Sequence, residues 1–577
     1  EILGIEDPIL KERLLKASEA ESLRQYPPAT LAALRQRAAG DVPELTQILR
    51  SHAYYNARIQ LDLRQAVREA TVVFDIDPGK QYPLREFSIQ TIETAEEAAI
   101  DPFSAEIPAD SLIDYANIRT EDLGIRINAP ATAASILRAE ERLLQKLREQ
   151  AFPLASLIDR KVLVDQADQT VTVQLTISTG RRLLFGPAKF VGLETVNERF
   201  LQGRVDWTVG QPFNPCLIES TRLALEDTGV FSMVTIAPGE VDLDSGQLEM
   251  IITVDEAHHR TVGLGVNYST AMGPGFTAEW EMRNFRGSGE RVSLNADINT
   301  DIQEGSWVYR KPDFLRRNQH AVLRTDLLHR EVKAFTEQSI AASLLIERLA
   351  NSCLEYSYGA QFKYLDVSNS DNDQFTVLAK VPVRVRWSTT SNRLDPSCGR
   401  TYLFDITPTH QLNRSEASYV TLLWHGMFYQ ALDACESIIF AQHLAAGTII
   451  GASRYDIPPP DRFYAGTDNL LRGYNYLTVS PIGEKGDPVG GRSLLAYAGE
   501  LRYRFSESLS WVGFFEIGNV YRDSVPKIEE KMLRSVGTGI RYHTPIGPLR
   551  FDIAFPLDRR SAIDADYQLY VSIGQAF

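Results

Sequence analysis

From residue 1 to about residue 256 the apolar positions follow two alternating periods. Pro8 to Ser18 and Ala29 to His52 place Leu and Ile at i, i+3 and i+4, which predicts helices with one face on a core. Asn56 to Leu63 and Ala70 to Asp77 are β-branched, alternate apolar with polar residues, and close on Pro78-Gly79, which predicts two strands and a turn. The order then repeats in degenerate form. A helix over Ala131 to Ala151 ends at Phe152-Pro153, and strands follow near Ile158 to Val164 and over Thr170 to Ser178. A third copy starts at Leu183 with the strand FGPAKFVG. Helices over Glu194 to Leu201 and Asn214 to Thr228 follow, then a joint at Gly229-Val230-Phe231 and strands over Met233 to Pro238 and Gln247 to Val254. A recurring β-α-α-β-β unit accounts for all three, with expected bounds 1–80, 81–181 and 182–257. The second unit carries an acidic, Ala-rich insert, TIETAEEAAIDPFSAEIPAD.

At about residue 258 the period changes, and 258–577 reads almost entirely as strand. Val383, Val385 and Trp387 flank Arg384 and Arg386; Leu501, Tyr503 and Phe505 flank Arg502 and Arg504; Leu549, Phe551 and Ile553 flank Arg550 and Asp552. In a sandwich the charged face would meet bulk water, whereas in a membrane barrel it lines a polar lumen. Length favours the barrel. At roughly 20 residues per strand and connection, this half holds about 16 antiparallel strands, the even number bacterial barrels use. Eleven strands are expected before residue 452 and five after residue 491. The intervening 453–491 is then a loop at the extracellular end, long enough to expect a function for it.

Charge and composition narrow the classes. A net charge of −15 offers no basic field for nucleic acid. No run approaches about 18 uncharged apolar residues, so no transmembrane helix is expected, and the mean hydropathy of −0.20 is compatible with a barrel that alternates lipid-facing and lumen-facing residues. Cys216, Cys353, Cys398 and Cys435 lie far apart without a CxxC; free thiols or a bridge such as Cys353 with Cys435 both fit. EILGIED at the start has neither a basic nor an apolar signal region, so an exported protein would be present here as its mature chain.

The motifs carry a family resemblance. RFYAGTDNLLRGYNYLTVSP, with Arg462, Gly466, Asp468, Leu471, Arg472, Gly473 and Tyr474, resembles the loop-six signature of the BamA/TamA outer-membrane assembly superfamily. FFEIGNV, with Glu516 and Gly518, resembles that family's F-x-D-x-G segment, with Glu in place of the usual Asp. The resemblance implies that the loop folds into the lumen and that Arg472 meets Glu516 there; a charged pair in a confined lumen gains charge-assisted hydrogen bonds that an exposed pair would not. The first hairpin, VGLGVNYSTAMGPGFTAEWEMRNFRGSGERVSL, the turn Asn392-Arg393-Leu394-Asp395-Pro396, and SVGTGIRYHTPIGPLRFDIAFPL extend the match in chain order. The amino-terminal units look like POTRA domains, a pattern that any small α+β repeat would also fit. YVSIGQAF ends on an aromatic residue, like the terminal strand signal of such barrels and like any amphipathic last strand.

The resemblance further implies a weak seam between the first strand, around Thr261 to Tyr268, and the last, around Gln568 to Phe577. Gly263, Gly265, Tyr268, Gly574 and Phe577 are the candidate seam residues. Strand glycines weaken pairing, or simply ease curvature. Exposed edge groups could template an incoming strand by β-augmentation. Three POTRA copies, rather than five or two, resemble the TamA branch, whose partner is TamB, a long inner-membrane-anchored β-rich protein. The partners implied are a TamB-like periplasm-spanning protein, unfolded outer-membrane protein clients including autotransporters, and the lipid bilayer. The alternative is a two-partner secretion transporter, which calls for a plug helix before two POTRA domains. No catalytic residue, cofactor or metal site is expected: Gly287-Ser288-Gly289 lacks the flanks of a nucleophile elbow, and His258-His259 has no third ligand at metal spacing.

Overall fold

The fold is that of a computed structural model that describes residues 1–26, 28–65, 70–92, 120–269, 273–369, 373–390, 392–413, 417–545, 547–573 and 575–577. Most of the acidic insert, and Gly574, lie outside the described residues. The chain divides into two compact units. The first holds three α/β sheets of one plan. Ile2–Leu3 pairs parallel with Ala70–Asp77, whose other side pairs antiparallel with Arg58–Gln65. Leu84–Ile92 and Ser156–Asp165 flank Thr170–Ser178 in the same way. In the third sheet Gln247–Glu256 is central, between Leu184–Val191 and Phe231–Asp242. In every case the last strand is the central one. Val171, Val173, Leu175 and Ile177 are fully buried, as alternation over a half-buried strand requires. The helix Ala133–Glu149 lays Ile136, Ala139, Leu143 and Leu147 on that face, and Thr132 caps it by accepting from the Ser135 amide, satisfying a donor that the first turn leaves orphaned. These are POTRA-like sheets.

One expected helix begins late. Glu194 to Val196 is not helical, and the helix is Glu198–Gln202. The cause is Glu256: its Oε1 accepts the amides of Glu194, Thr195 and Val196, each at 2.9 Å. Those N–H groups are committed to a carboxylate, which binds a concave run of amides as an anion. His259 lies 3.1 Å from Glu256 Oε2, a structural contact. Burial by itself raises the Glu256 carboxyl; the Thr195 hydroxyl and the Val196, Glu194 and Thr195 amides outweigh it and hold it at about 2. A depressed folded-state value stabilises the fold above the ordinary 4.5, and that contribution fades as pH falls toward 2. Hydrogen exchange at 194–196 should therefore accelerate, relative to intrinsic rates, between pH 4.5 and pH 2. Glu256→Gln should lose on the order of tenfold protection already at neutral pH; equal protection in both proteins would refute the role.

The second unit carries a closed antiparallel barrel. Two strand segments, Asp373–Lys380 and Val383–Ser388, both lie between Leu354–Ser368 and Gly399–Gln411. They are one stave broken at Val381-Pro382, where proline has no N–H for the ladder, so the barrel has sixteen staves. Eleven precede the 451–492 connection and five follow it, matching the expected division. Alternation sets the faces. Val262, Leu264, Val266 and Tyr268 of the first stave are exposed, as are Leu501, Tyr503, Phe551 and Ile573, and these form the lipid-facing surface. Arg502, Arg550 and Asp552 are buried on the other side.

Candidate functional site

Two features of the barrel stand out: the 451–492 loop, and the closure between first and last staves. The loop is buried or half-buried through most of its length; Leu471, Arg472 and Tyr474 are each 0% exposed. Gly466 at φ +86° and Leu471 at φ +56° turn the chain through left-handed conformations. The second costs a non-glycine residue strain that surrounding contacts must hold. The turn aims both the amide and the side chain of Arg472 at one carboxylate.

That carboxylate is Glu516. The Arg472 amide donates to Glu516 Oε2 at 2.6 Å and its Nε to Oε1 at 2.7 Å. The guanidinium also reaches Glu500 at 2.7 Å and Asp552 at 3.1 Å through Nη1, and it lies 3.5 Å from the centre of the Phe514 ring, a cation–π placement. Glu500 is shared with Arg502 at 3.0 Å. Asp552 is shared with Arg541 at 2.5 Å and Arg550 at 2.6 Å. Glu516 has Arg472 as its ion-pair partner and otherwise accepts from the Ser535 hydroxyl at 2.7 Å. Sequence reasoning singled out Glu516 for this position but passed over Glu500. Its position two residues before Arg502 puts it on the lumen face by parity, which is the signal that could have found it.

The other motif residues shape the loop. Arg462 donates from Nε to the Ile457 carbonyl at 2.9 Å and from Nη1 to that of Val489 at 2.8 Å, closing the loop on itself. The Asp468 side chain is exposed, and its carbonyl accepts from Arg550 at 2.8 Å. A Cβ on Gly473 would stand 2.7 Å from the backbone of Phe555, so glycine lets the loop lie against the Gly547–Pro556 stave. The Tyr474 hydroxyl donates to the Arg534 carbonyl at 2.8 Å. Gly518 faces the lumen beside Glu516, where a Cβ would meet that of Ala496 at 2.6 Å.

At the closure, the first stave, Arg260–Ser269, pairs over its whole length with Gly273–Met282. On its other edge, among the described residues, the partners with the last stave are Tyr268 with Val571 and Ser269 with Tyr570. Among the described residues, 260–267, including Gly263 and Gly265, therefore present an edge without a cross-seam partner. The last stave is Gln568–Ile573, shorter than expected. Phe577 departs from strand continuation: its ring is 5.1 Å from that of lumen-side His443, and its carbonyl accepts from Arg502 at 3.1 Å. The last stave is also tied to the loop. The Tyr570 hydroxyl donates to the Arg472 carbonyl at 2.9 Å, and Gln568 Nε2 to Asn475 Oδ1 at 2.5 Å.

Sixteen antiparallel staves with an apolar outer face and an arginine-held lumen loop, following POTRA-like sheets, form an outer-membrane POTRA–barrel architecture. Residues 284–577, just over half of the chain, match the Omp85 superfamily domain, and the chain belongs to that superfamily, whose members are assembly and transport factors. It is 33% identical over 136 residues to the outer membrane protein assembly factor BamA of Nitratidesulfovibrio vulgaris, a match spanning 23% of this chain and 17% of that protein. Among solved structures, BamA from Haemophilus ducreyi lacking POTRA domains 1–3 aligns with a TM-score of 0.70 at 16% identity, covering 85% of this chain and 99% of the other. CdiB from Acinetobacter baumannii aligns with a TM-score of 0.50 at 13% identity, covering 99% of each. The barrel lies in the outer membrane with its POTRA domains in the periplasm.

Proposed function

We propose that this protein is an outer-membrane assembly factor, inserting autotransporter-type and other β-barrel clients by templating their strands on the unpaired edge of its first stave. The observation that carries this reading is that edge: residues 260–267 have no cross-seam partner among the described residues, while the neighbouring pairing is continuous. Exposed backbone donors and acceptors recruit a strand without demanding one sequence, and insertion draws on the client's own folding free energy, with no enzymatic step and no cofactor. Within the superfamily we assign the chain to a TamA-like branch, with POTRA domains at 1–80, 81–181 and 182–257, the barrel at 258–577, and a TamB-like periplasm-spanning partner. The three sheets of one plan support that division.

A second reading is a two-partner secretion-type transporter exporting one dedicated substrate, favoured by the likeness to CdiB over nearly the whole chain. Proteoliposomes separate the two. The assembly reading expects vesicles containing this protein to insert an unfolded autotransporter barrel, scored by heat-modifiable gel mobility, faster than empty vesicles. Equal rates would remove it.

A further inference from the structure

Arg472 fixes the lumen loop to one wall only. Glu500, Glu516 and Asp552 lie on Ser493–Arg504, Leu509–Tyr521 and Gly547–Pro556, all after the loop in the chain. Eleven residues before Arg472, Asp461 meets residues that precede the loop. Lys380 Nζ lies 2.8 Å from Asp461 Oδ1 and 2.7 Å from Oδ2, and the Tyr419 hydroxyl donates to Oδ2 at 2.5 Å. Lys380 ends the upper segment of the broken stave, and Tyr419 stands on Ser418–Ala431. The side chains of Lys380 and Asp461 are 12% and 8% exposed, and Tyr419 is buried.

Apolar packing accompanies this contact on the same wall. Leu477, Tyr464 and Tyr476 of the loop join Phe335, Leu365 and Leu378 of the staves, with the Phe335 and Tyr464 rings 5.7 Å apart. Phe463 lies over Gly447, where a Cβ would stand 2.6 Å from its ring. The covered part of the lumen is the extracellular part. Below it remains a polar cavity of about 1120 Å³, bordered by Arg310, Arg324, Glu347, Arg384 and Asp405, and no residue of the 451–492 loop lines it among the described residues.

We propose that Asp461, with Lys380 and Tyr419, is a second anchor of the lumen loop, positioning it across the extracellular half of the barrel independently of Arg472, so that the path through the lumen opens only when this anchor releases. The physical case rests on opposition. A strap held at one end swings about that end, whereas one held on two walls covers the space between them. The Asp461 pair is buried enough that removing one partner leaves a desolvated charge, which biases the loop toward leaving the wall.

Planar-bilayer conductance of the full chain tests this. Asp461→Asn and Lys380→Met should each shift the closed-to-open balance about a hundredfold, seen as more frequent and longer openings, with heat-modifiable mobility of the barrel retained. Asp461→Glu should stay closed, and the exchanged pair Asp461→Lys with Lys380→Asp should recover closure, which loss of packing alone would not do. Arg472→Ala combined with Asp461→Asn should open more than either alone. Conductance in Asp461→Asn and Lys380→Met equal to that of the unaltered protein would overturn the proposal. If either variant fails to fold, Tyr419→Phe, which deletes one hydroxyl, should give a smaller shift of the same sign, and its absence overturns the proposal equally.

Discussion

Arg472→Ala should release the tip of the lumen loop, at a cost of about 3–5 kcal/mol, the range for removing one partner of a buried ion pair. The cluster is unevenly provided with cations. Without Arg472, Glu500 keeps Arg502 and Asp552 keeps Arg541 and Arg550. Glu516 keeps a neutral hydroxyl, from Ser535. The destabilisation therefore falls mostly on one orphaned carboxylate, and the variant should expose residues 466–477 to protease while the barrel still migrates as a folded, heat-modifiable species. Glu516→Gln should cost less, because Arg472 retains Glu500 and Asp552 and the amide oxygen still accepts. The double variant should then be less damaged than the sum of the two, since replacing both members of a pair removes the orphan. Protease resistance of Arg472→Ala equal to that of the parent would show that packing, not the ion cluster, holds the loop.

The two periods of the sequence made the sheets and the barrel legible, because a period of two in a sheet with one lipid face fixes which side each residue takes. Arg502, Arg550 and Asp552 fell on the lumen side for that reason alone, whereas Glu516 came from the resemblance of FFEIGNV to the family's F-x-D-x-G segment. Parity does not give height. Which lumen residues stand level across sixteen tilted staves depends on stagger, and so the meeting of Arg472 with Glu500 and Asp552, and of Asp461 with Lys380 and Tyr419, could not be read from spacing. Local chemistry hid the rest. The late helix start at Glu198 is caused by a carboxylate 60 residues downstream, Glu256 on Val196, and the inward turn of Phe577 depends on Arg502 and His443, which belong to other staves.

The templating proposal makes its sharpest demand at the seam. Tyr268 and Val571 are opposed across it, and by alternation both face lipid. Opposed residues of an antiparallel pair have Cα atoms about 4.5–5.5 Å apart, within the span of about 4.4–6.8 Å that a disulfide bridges. Tyr268→Cys with Val571→Cys, in a background where Cys216, Cys353, Cys398 and Cys435, all unpaired, are serine, should therefore close by oxidation without distorting the barrel. If the client strand must enter between the first and last staves, the oxidised staple should lower insertion in proteoliposomes by at least about tenfold, toward the rate of empty vesicles, because a covalent closure removes the edge that β-augmentation needs. Reduction should restore it. A matched bridge inside the first hairpin, Leu264→Cys with Ala278→Cys, joins residues that are already opposed and should leave the rate unchanged. This control separates a closed seam from a stiffened first stave. Insertion as fast with the oxidised staple as without it would place templating away from this edge and leave the lumen, with its loop held on two walls, as the route to be explained.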